Sequence, residues 1–306
     1  MLTSTIQFLP ALLISMLLLF GLSGSLQASS VTPNHVYQSV DNAVQTLDAV
    51  LTTYEASYKP INISHSNRKP RHVLQKGREV FLKLQQVREL NSLPAHTLPE
   101  FPVRKITPAD VKQVVEFIRK DTYDLLQAYD VVTSPEEAPL PSNMKPTEVY
   151  LHLVVLDNML SGLNIPKTVP NDVYQVALTI HDELVLILEH QRINANINEG
   201  VKSANKKPSD VYQALSDLML SVKSLCQTDS RYCIEGGIDI PPMHQGNISP
   251  AIVLDLMNNL IADIGALKVS LGIQQAVPLA PEQSGKTPSD VFDILVKSSR
   301  LMARMS

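Results

Sequence analysis

One short pattern constrains this chain more than any other: a proline, two mostly polar residues and a valine, repeated eight times. It reads TPNHV, KPRHV, TPADV, KPTEV, VPNDV, KPSDV, SPAIV and TPSDV, on Pro33, Pro70, Pro108, Pro146, Pro170, Pro208, Pro250 and Pro288. Each copy has the chemistry of a helix start. Proline suits the first helical position, because its missing N–H would have no intrahelical partner there. Thr107, Ser249 and Thr287 precede the proline as N-caps. Asp110, Glu148, Asp172, Asp210 and Asp290 lie in the first turn, at the positive end of the helix dipole. Lysine precedes Pro70, Pro146 and Pro208 and is a poor cap, so the start signal is weaker there.

An apolar stripe at steps of three and four follows each proline, as in Val36, Val40, Ala43, Leu47 and Val50, or Val211, Leu215, Leu218, Val222 and Leu225. The pattern predicts an all-α fold of eight amphipathic helices, each about 18 to 25 residues long. Pro-rich linkers such as TSPEEAPLPSNMK and AVPLAPEQSGK separate them. Gly162 and Gly272 stand where C-terminal stops belong.

Successive prolines lie 37, 38, 38, 24, 38, 42 and 38 residues apart. The one short step divides the series in half. The economical reading is two tandem four-helix bundles, 29–163 and 170–306, joined by the connector 164–169. The alternative is a uniform helical solenoid with one shortened linker. Sixteen extended residues span roughly 50 Å, more than a helix of 20 residues at about 30 Å. Consecutive helices are therefore either antiparallel, or parallel with the linker running back along the bundle.

Residues 1–28 read as a signal peptide, with an apolar core from Phe8 to Leu22 and cleavage after Ala28. The leader has no Lys or Arg, which departs from the pattern and leaves a retained anchor as the alternative. No later run is long and apolar enough to span a bilayer, so no membrane span is expected once the signal is removed. Export places the chain in the periplasm or outside the cell. Cys226 and Cys233 are expected to pair there as a disulfide, against the alternative of two free thiols. The net charge of −4 argues against nucleic acid.

Motifs for chemistry are missing. There is no HExxH, paired ExxH, CxxCH, GxSxG or glycine-rich phosphate loop. Glu148 and His152 stand four apart, and such a pair is more often a surface hydrogen bond than a ligand set. No metal, cofactor or catalytic residue is expected, and the chain reads as no enzyme. The basic patch NRKPRH, 67–72, reads as a solvated linker. One aromatic set recurs just after the repeated valine: Tyr37, Tyr150, Tyr174, Tyr212 and Phe292. These rings either seal the ends of the bundles or line a ligand cleft near the helix N-termini.

In layout the chain is similar to exported tandem helical bundles of the imelysin type and to bimodular helical sensor domains. No histidine has Glu three residues on, so the HxxE motif of the former is absent. No second membrane helix follows Gly24, as the sensors would need. No residue role carries over. The functional expectation is a non-enzymatic protein that binds another protein or assembles with itself. The alternative is a small-ligand or metal-binding sensor.

Overall fold

Every one of the eight prolines opens an α-helix in the computed structural model, which describes residues 30–60, 65–100, 102–198 and 200–305. The helices are α1 (Pro33–Thr53), α2 (Pro70–Leu90), α3 (Pro108–Ala128), α4 (Pro146–Leu160), α5 (Pro170–His190), α6 (Pro208–Thr228), α7 (Pro250–Ser270) and α8 (Pro288–Met302). The described residues contain no strand. Three helices of 21 residues and one of 15 make up each half, so α4 and α8 are shorter than the periodicity predicts. The leader read over 1–28 lies outside the described residues. No described helix is long and apolar enough to cross a membrane.

The lysines before Pro70, Pro146 and Pro208 do not weaken the helix starts, because the cap comes from the other side. The third helical residue reaches back to the N-cap N–H. Glu148 accepts from Lys145 N at 3.0 Å, Asp172 from Val169 N at 2.8 Å and Asp210 from Lys207 N at 2.7 Å. In α1 and α2 a histidine Nδ1 takes this role, His35 at 3.1 Å from Thr32 N and His72 at 3.0 Å from Lys69 N. Helix α7 has Ile252 at this position, and there Ser249 caps with its own hydroxyl, accepting from Ile252 N at 3.4 Å.

Gly272, at φ 74°, ends α7 as expected. Gly162 does not end α4: the left-handed residue is Asn164, at φ 59°. Gly162 is small for another reason. A Cβ there would come within 3.0 Å of Leu51 Cδ2 and 3.3 Å of the Ser57 carbonyl oxygen.

In all eight helices the repeated valine and the residues four and seven positions after it are buried. They feed two separate apolar cores, one drawn from 36–163 and one from 173–305. In the first, α1 and α2 each pack on both α3 and α4. In the second, α5 and α6 each pack on both α7 and α8. Consecutive helices α1 and α2 therefore sit diagonally, as do α3 and α4.

The helices of the first core run parallel. The four opening prolines and the valines Val36, Val73, Val111 and Val149 ring one small cavity of about 10 Å³. The opposite ends also meet. Tyr54 and Tyr129 contact edge to face at 5.2 Å, Asn91 Nδ2 donates to Tyr129 Oη at 3.0 Å, and Asn164 Nδ2 donates to Tyr54 Oη at 3.4 Å. The α3–α4 and α7–α8 linkers return along the helices of their own half, and polar side chains hold them there. Gln38 Nε2 donates to the Ala138 carbonyl at 2.7 Å, and Gln175 Nε2 to that of Ala280 at 2.7 Å. Ala138 N donates to Asn42 Oδ1 at 2.6 Å, and Ala280 N to Thr179 Oγ1 at 3.0 Å. Met144 N donates to Asn34 and Lys286 N to Asn171, at 2.9 and 2.8 Å.

Cys226, in the last turn of α6, and Cys233, beyond its end, form a disulfide with Cα atoms 4.5 Å apart. It closes a loop with a sequence separation of 7. Chain entropy for so short a loop gives about 2 to 3 kcal/mol. Reduction is expected to lower the melting temperature modestly and leave the helical circular-dichroism signal intact. Loss of that signal on reduction would assign the bond a larger role.

Candidate functional site

The two cores meet along α2 and α7, and the contact is polar. On α2 and the turn before it, Arg68, Arg71, His72, Gln75, Lys76, Glu79 and Lys83 recur at helical spacing and face α7 or the neighbouring α4. On α7 the answering residues are Asp255, Asn258, Asn259 and Asp263. The basic patch at 67–72 is therefore no solvated linker. Arg68, Arg71 and His72 are buried because each finds a partner across this seam.

Asp263, fully buried, accepts on Oδ1 from Arg71 Nε at 2.7 Å and from His72 Nε2 at 2.8 Å. Arg71 also donates to the Glu235 and Gly237 carbonyls at 2.9 and 2.7 Å. Arg68 Nη1 donates to Asn259 Oδ1 at 3.0 Å. Asp255 stands 2.9 Å from His65 Nε2, accepts from Tyr150 Oη at 2.8 Å and lies 3.4 Å from Lys76 Nζ. Lys76 Nζ also donates to Asp157 at 2.7 Å and Glu79 at 3.2 Å. Lys83 ties Glu79 to Asp157 from the solvent side, at 3.0 and 2.5 Å.

Burial alone would pull the Lys76 ammonium down, but Asp157, Glu79 and Asp255 outweigh it and hold it well above its ordinary range. Burial would raise the Asp255 carboxyl, but Lys76, His65 and Tyr150 keep it well below the usual carboxylate range. The seam is thus ionised on both sides.

His72 is the exception. Its Nδ1 accepts from Lys69 N, so the hydrogen-bond network assigns the ring proton to Nε2, which donates to Asp263. A second ring proton would oppose the Lys69 N–H. Burial lowers the pKa of His72 most. Asp263 raises it by hydrogen bond and charge, while Arg71 and Arg68 push it down further. The unfolded chain takes up this proton near pH 6.5, where the folded chain does not. The stabilising contribution is present above that pH and falls as pH drops below it. The denaturation midpoint is expected to be lower at pH 5.5 than at pH 7.5, and His72→Gln to flatten that slope. Equal slopes in the two proteins would remove His72 as the cause.

Beside the seam lies a groove of about 1070 Å³. Helix α7 forms its floor through Leu254, Ile261, Ala262, Gly265, Ala266 and Val269. Helices α2 and α5, both packed on α7, form its walls. The rim exposes Leu82, Val169 and Leu279 at 57%, 43% and 54%, too much apolar surface to ignore beside a cavity of this size. Eight Lys or Arg and five Asp or Glu line the groove. Arg71, Lys83 and Arg104 are balanced by Asp263, Asp157 and Asp110 just outside the lining, whereas Lys69 and Lys167 on the rim have no carboxylate partner among the described residues. At one end Lys268 Nζ donates to Glu183 Oε1 at 2.8 Å and joins α7 to α5.

None of the five aromatic residues singled out in the sequence lines this groove. Tyr150 and Tyr212 are buried, and Tyr150 serves the seam. Tyr37 stacks on His152 at 4.5 Å between centroids. Tyr174 and Phe292 lie under Lys286 and Lys206, whose Nζ atoms stand 4.4 and 4.2 Å from the ring centres. Glu148 and His152 do not pair, since Glu148 caps α4 and His152 Nε2 stands 2.9 Å from Asp41. The described residues hold no cluster of three or more His, Cys, Asp or Glu placed to share a metal ion. The chain matches no protein-family model, no curated protein and no solved structure.

Proposed function

We propose that this is an exported, non-enzymatic protein, built from two tandem copies of a four-helix unit, that works by holding another protein in the groove over α7. The groove carries the reading. It is large and apolar at its floor, and Leu82, Val169 and Leu279 stand exposed on its rim. The leader-like 1–28 and the Cys226–Cys233 bond support the periplasm or the cell exterior as its place of work. The repeated linker contacts of Gln38 and Gln175, each 2.7 Å, support the duplication.

The test is photocrosslinking in the native host. A benzoylphenylalanine placed at Leu82 or Leu279 should yield protein adducts that the same group at Leu220, exposed on α6, does not. Equal labelling from both faces, or none from the groove, would refute the reading. Mass spectrometry of the exported protein checks cleavage after Ala28, and an intact Met1 terminus would contradict it.

A further inference from the structure

We infer that the groove seats one acidic amphipathic helix of a partner protein, lying along α7 between α2 and α5. This rests on the binding-groove reading above and specifies the partner.

The floor is a single face of α7. Leu254, Asn258, Ile261, Gly265 and Val269 follow one another at steps of three and four, with Ala262 and Ala266 alongside. From Leu254 to Val269 this face runs about 22 Å, the length of a helix of roughly 15 residues. Its centre is a strip of small residues. A Cβ on Gly265 would meet nothing within 4 Å, whereas one on Gly77, inside α2, would touch Val114 Cγ1 at 3.4 Å. Glycine inside a helix is destabilising relative to alanine. Packing within the chain accounts for Gly77 and does not account for Gly265. Above Gly265 a second helix backbone can approach as closely as helices do when packed, about 8 to 10 Å between axes.

The walls say which helix. Helix α2 flanks the strip on one side with Gln75, Arg78 and Leu82; on the other, Val176 of α5 stands beside the α7–α8 linker, which Gln175 and Thr179 hold at Ala280. An inserted helix would be held on three sides, in the manner of helix-in-groove recognition. Its apolar stripe would cover α7, Leu82, Val169 and Leu279. Its outer face would meet the cationic rim. Among the described residues Lys69 Nζ is held only by the neutral Asn67 amide, at 2.8 Å, and Lys167 stands exposed beside Val169. Carboxylates at the flanks of the incoming helix pair with these two lysines.

The experiment uses the full chain and two labelled synthetic helices of about 16 residues. One has a Leu/Ala face and a Glu face; its sister has Lys in place of every Glu. Fluorescence anisotropy should show saturable binding of the Glu peptide, weakened by salt, with the Lys peptide at least about tenfold weaker. Gly265→Leu should abolish binding, and Gly265→Ala should retain it, with both variants melting as the parent does. Failure of the Glu peptide to bind, equal binding of the two peptides, or binding indifferent to Gly265→Leu overturns the inference. If instead a fluorescent fatty acid, cis-parinaric acid, saturates a site that Gly265→Leu closes, the groove reading stands and the helix falls. Self-association of the chain that Gly265→Leu disrupts would give the seat to a second copy. If neither probe nor self-association responds to Gly265→Leu, both readings fall.

Discussion

Replacing Asp263 with alanine is expected to cost about 3 to 5 kcal/mol, a large part of the roughly 5 to 15 kcal/mol that holds a typical domain folded. The magnitude follows from what the substitution leaves behind. Asp263 is 0% exposed, and its Oδ1 takes hydrogen bonds from both Arg71 Nε and His72 Nε2, at 2.7 and 2.8 Å. Without it the Arg71 guanidinium keeps only two carbonyl partners, and the His72 N–H faces a cavity. An uncompensated buried cation is the expensive part, since the lost attraction was largely offset by desolvation of the pair. Asp263→Asn is the informative companion. It keeps an acceptor for one of the two donors and removes the charge, so its loss should be smaller than that of alanine and still well above a surface change. Denaturant midpoints measure both. Losses within about 0.5 kcal/mol for both variants would mean that Arg71 escapes to solvent and that the seam contributes little.

The fold was legible where its cause is local. Proline at the first helical position, a valine three residues later and, in all but α7, an acid or histidine between them act within a single turn, so eight starts could be read from eight short segments. Asn67, Asn143, Asn205 and Gly285, each three residues before its proline, all take positive φ, at 56°, 62°, 59° and 72°. These are the residue types that tolerate the left-handed region, and they mark the turn that brings each linker into its helix. What was not legible depends on distance along the chain. Whether neighbours run parallel is decided by Ala138 docking on Gln38 and Ala280 on Gln175, contacts with sequence separations of 100 and 105. The seam pairs Arg68 with Asn259 and Arg71 with Asp263 across separations of 191 and 192. Taken alone, a basic run beside a proline looks solvated. The hint lay on the other partner: Asp255, Asn258, Asn259 and Asp263 make a polar stripe on a helix that is otherwise apolar, and such a stripe has to be answered somewhere. The groove left a fainter trace in Gly265, a helix-interior glycine with no local reason to be there.

Leu47 and Leu184 offer the sharpest test of whether the two cores stand alone. They occupy equivalent places in α1 and α5, each fully buried, each in a different core. Leucine to alanine at such a site costs about 2 to 5 kcal/mol through lost burial and the cavity that remains. Aspartate adds a carboxyl that finds no partner among Leu and Val neighbours and must either stay charged at great cost or take up a proton. Leu184→Asp is therefore expected to unfold the second core, and Leu47→Asp the first. The apolar clusters share no residue, and the surface between them is the ionic seam rather than common hydrophobic packing. Each variant should then lose about half of the helical signal in an early transition and the rest in a later one, with the surviving half keeping its own near-native midpoint. Lys120→Asp, on the exposed side of α3, is the control and should move stability by no more than about 0.5 kcal/mol. A single transition that takes all helical signal in both aspartate variants would show that the seam joins the halves into one cooperative unit. Asp263→Asn combined with Leu184→Asp would then separate the halves again, because it weakens that seam without touching either core.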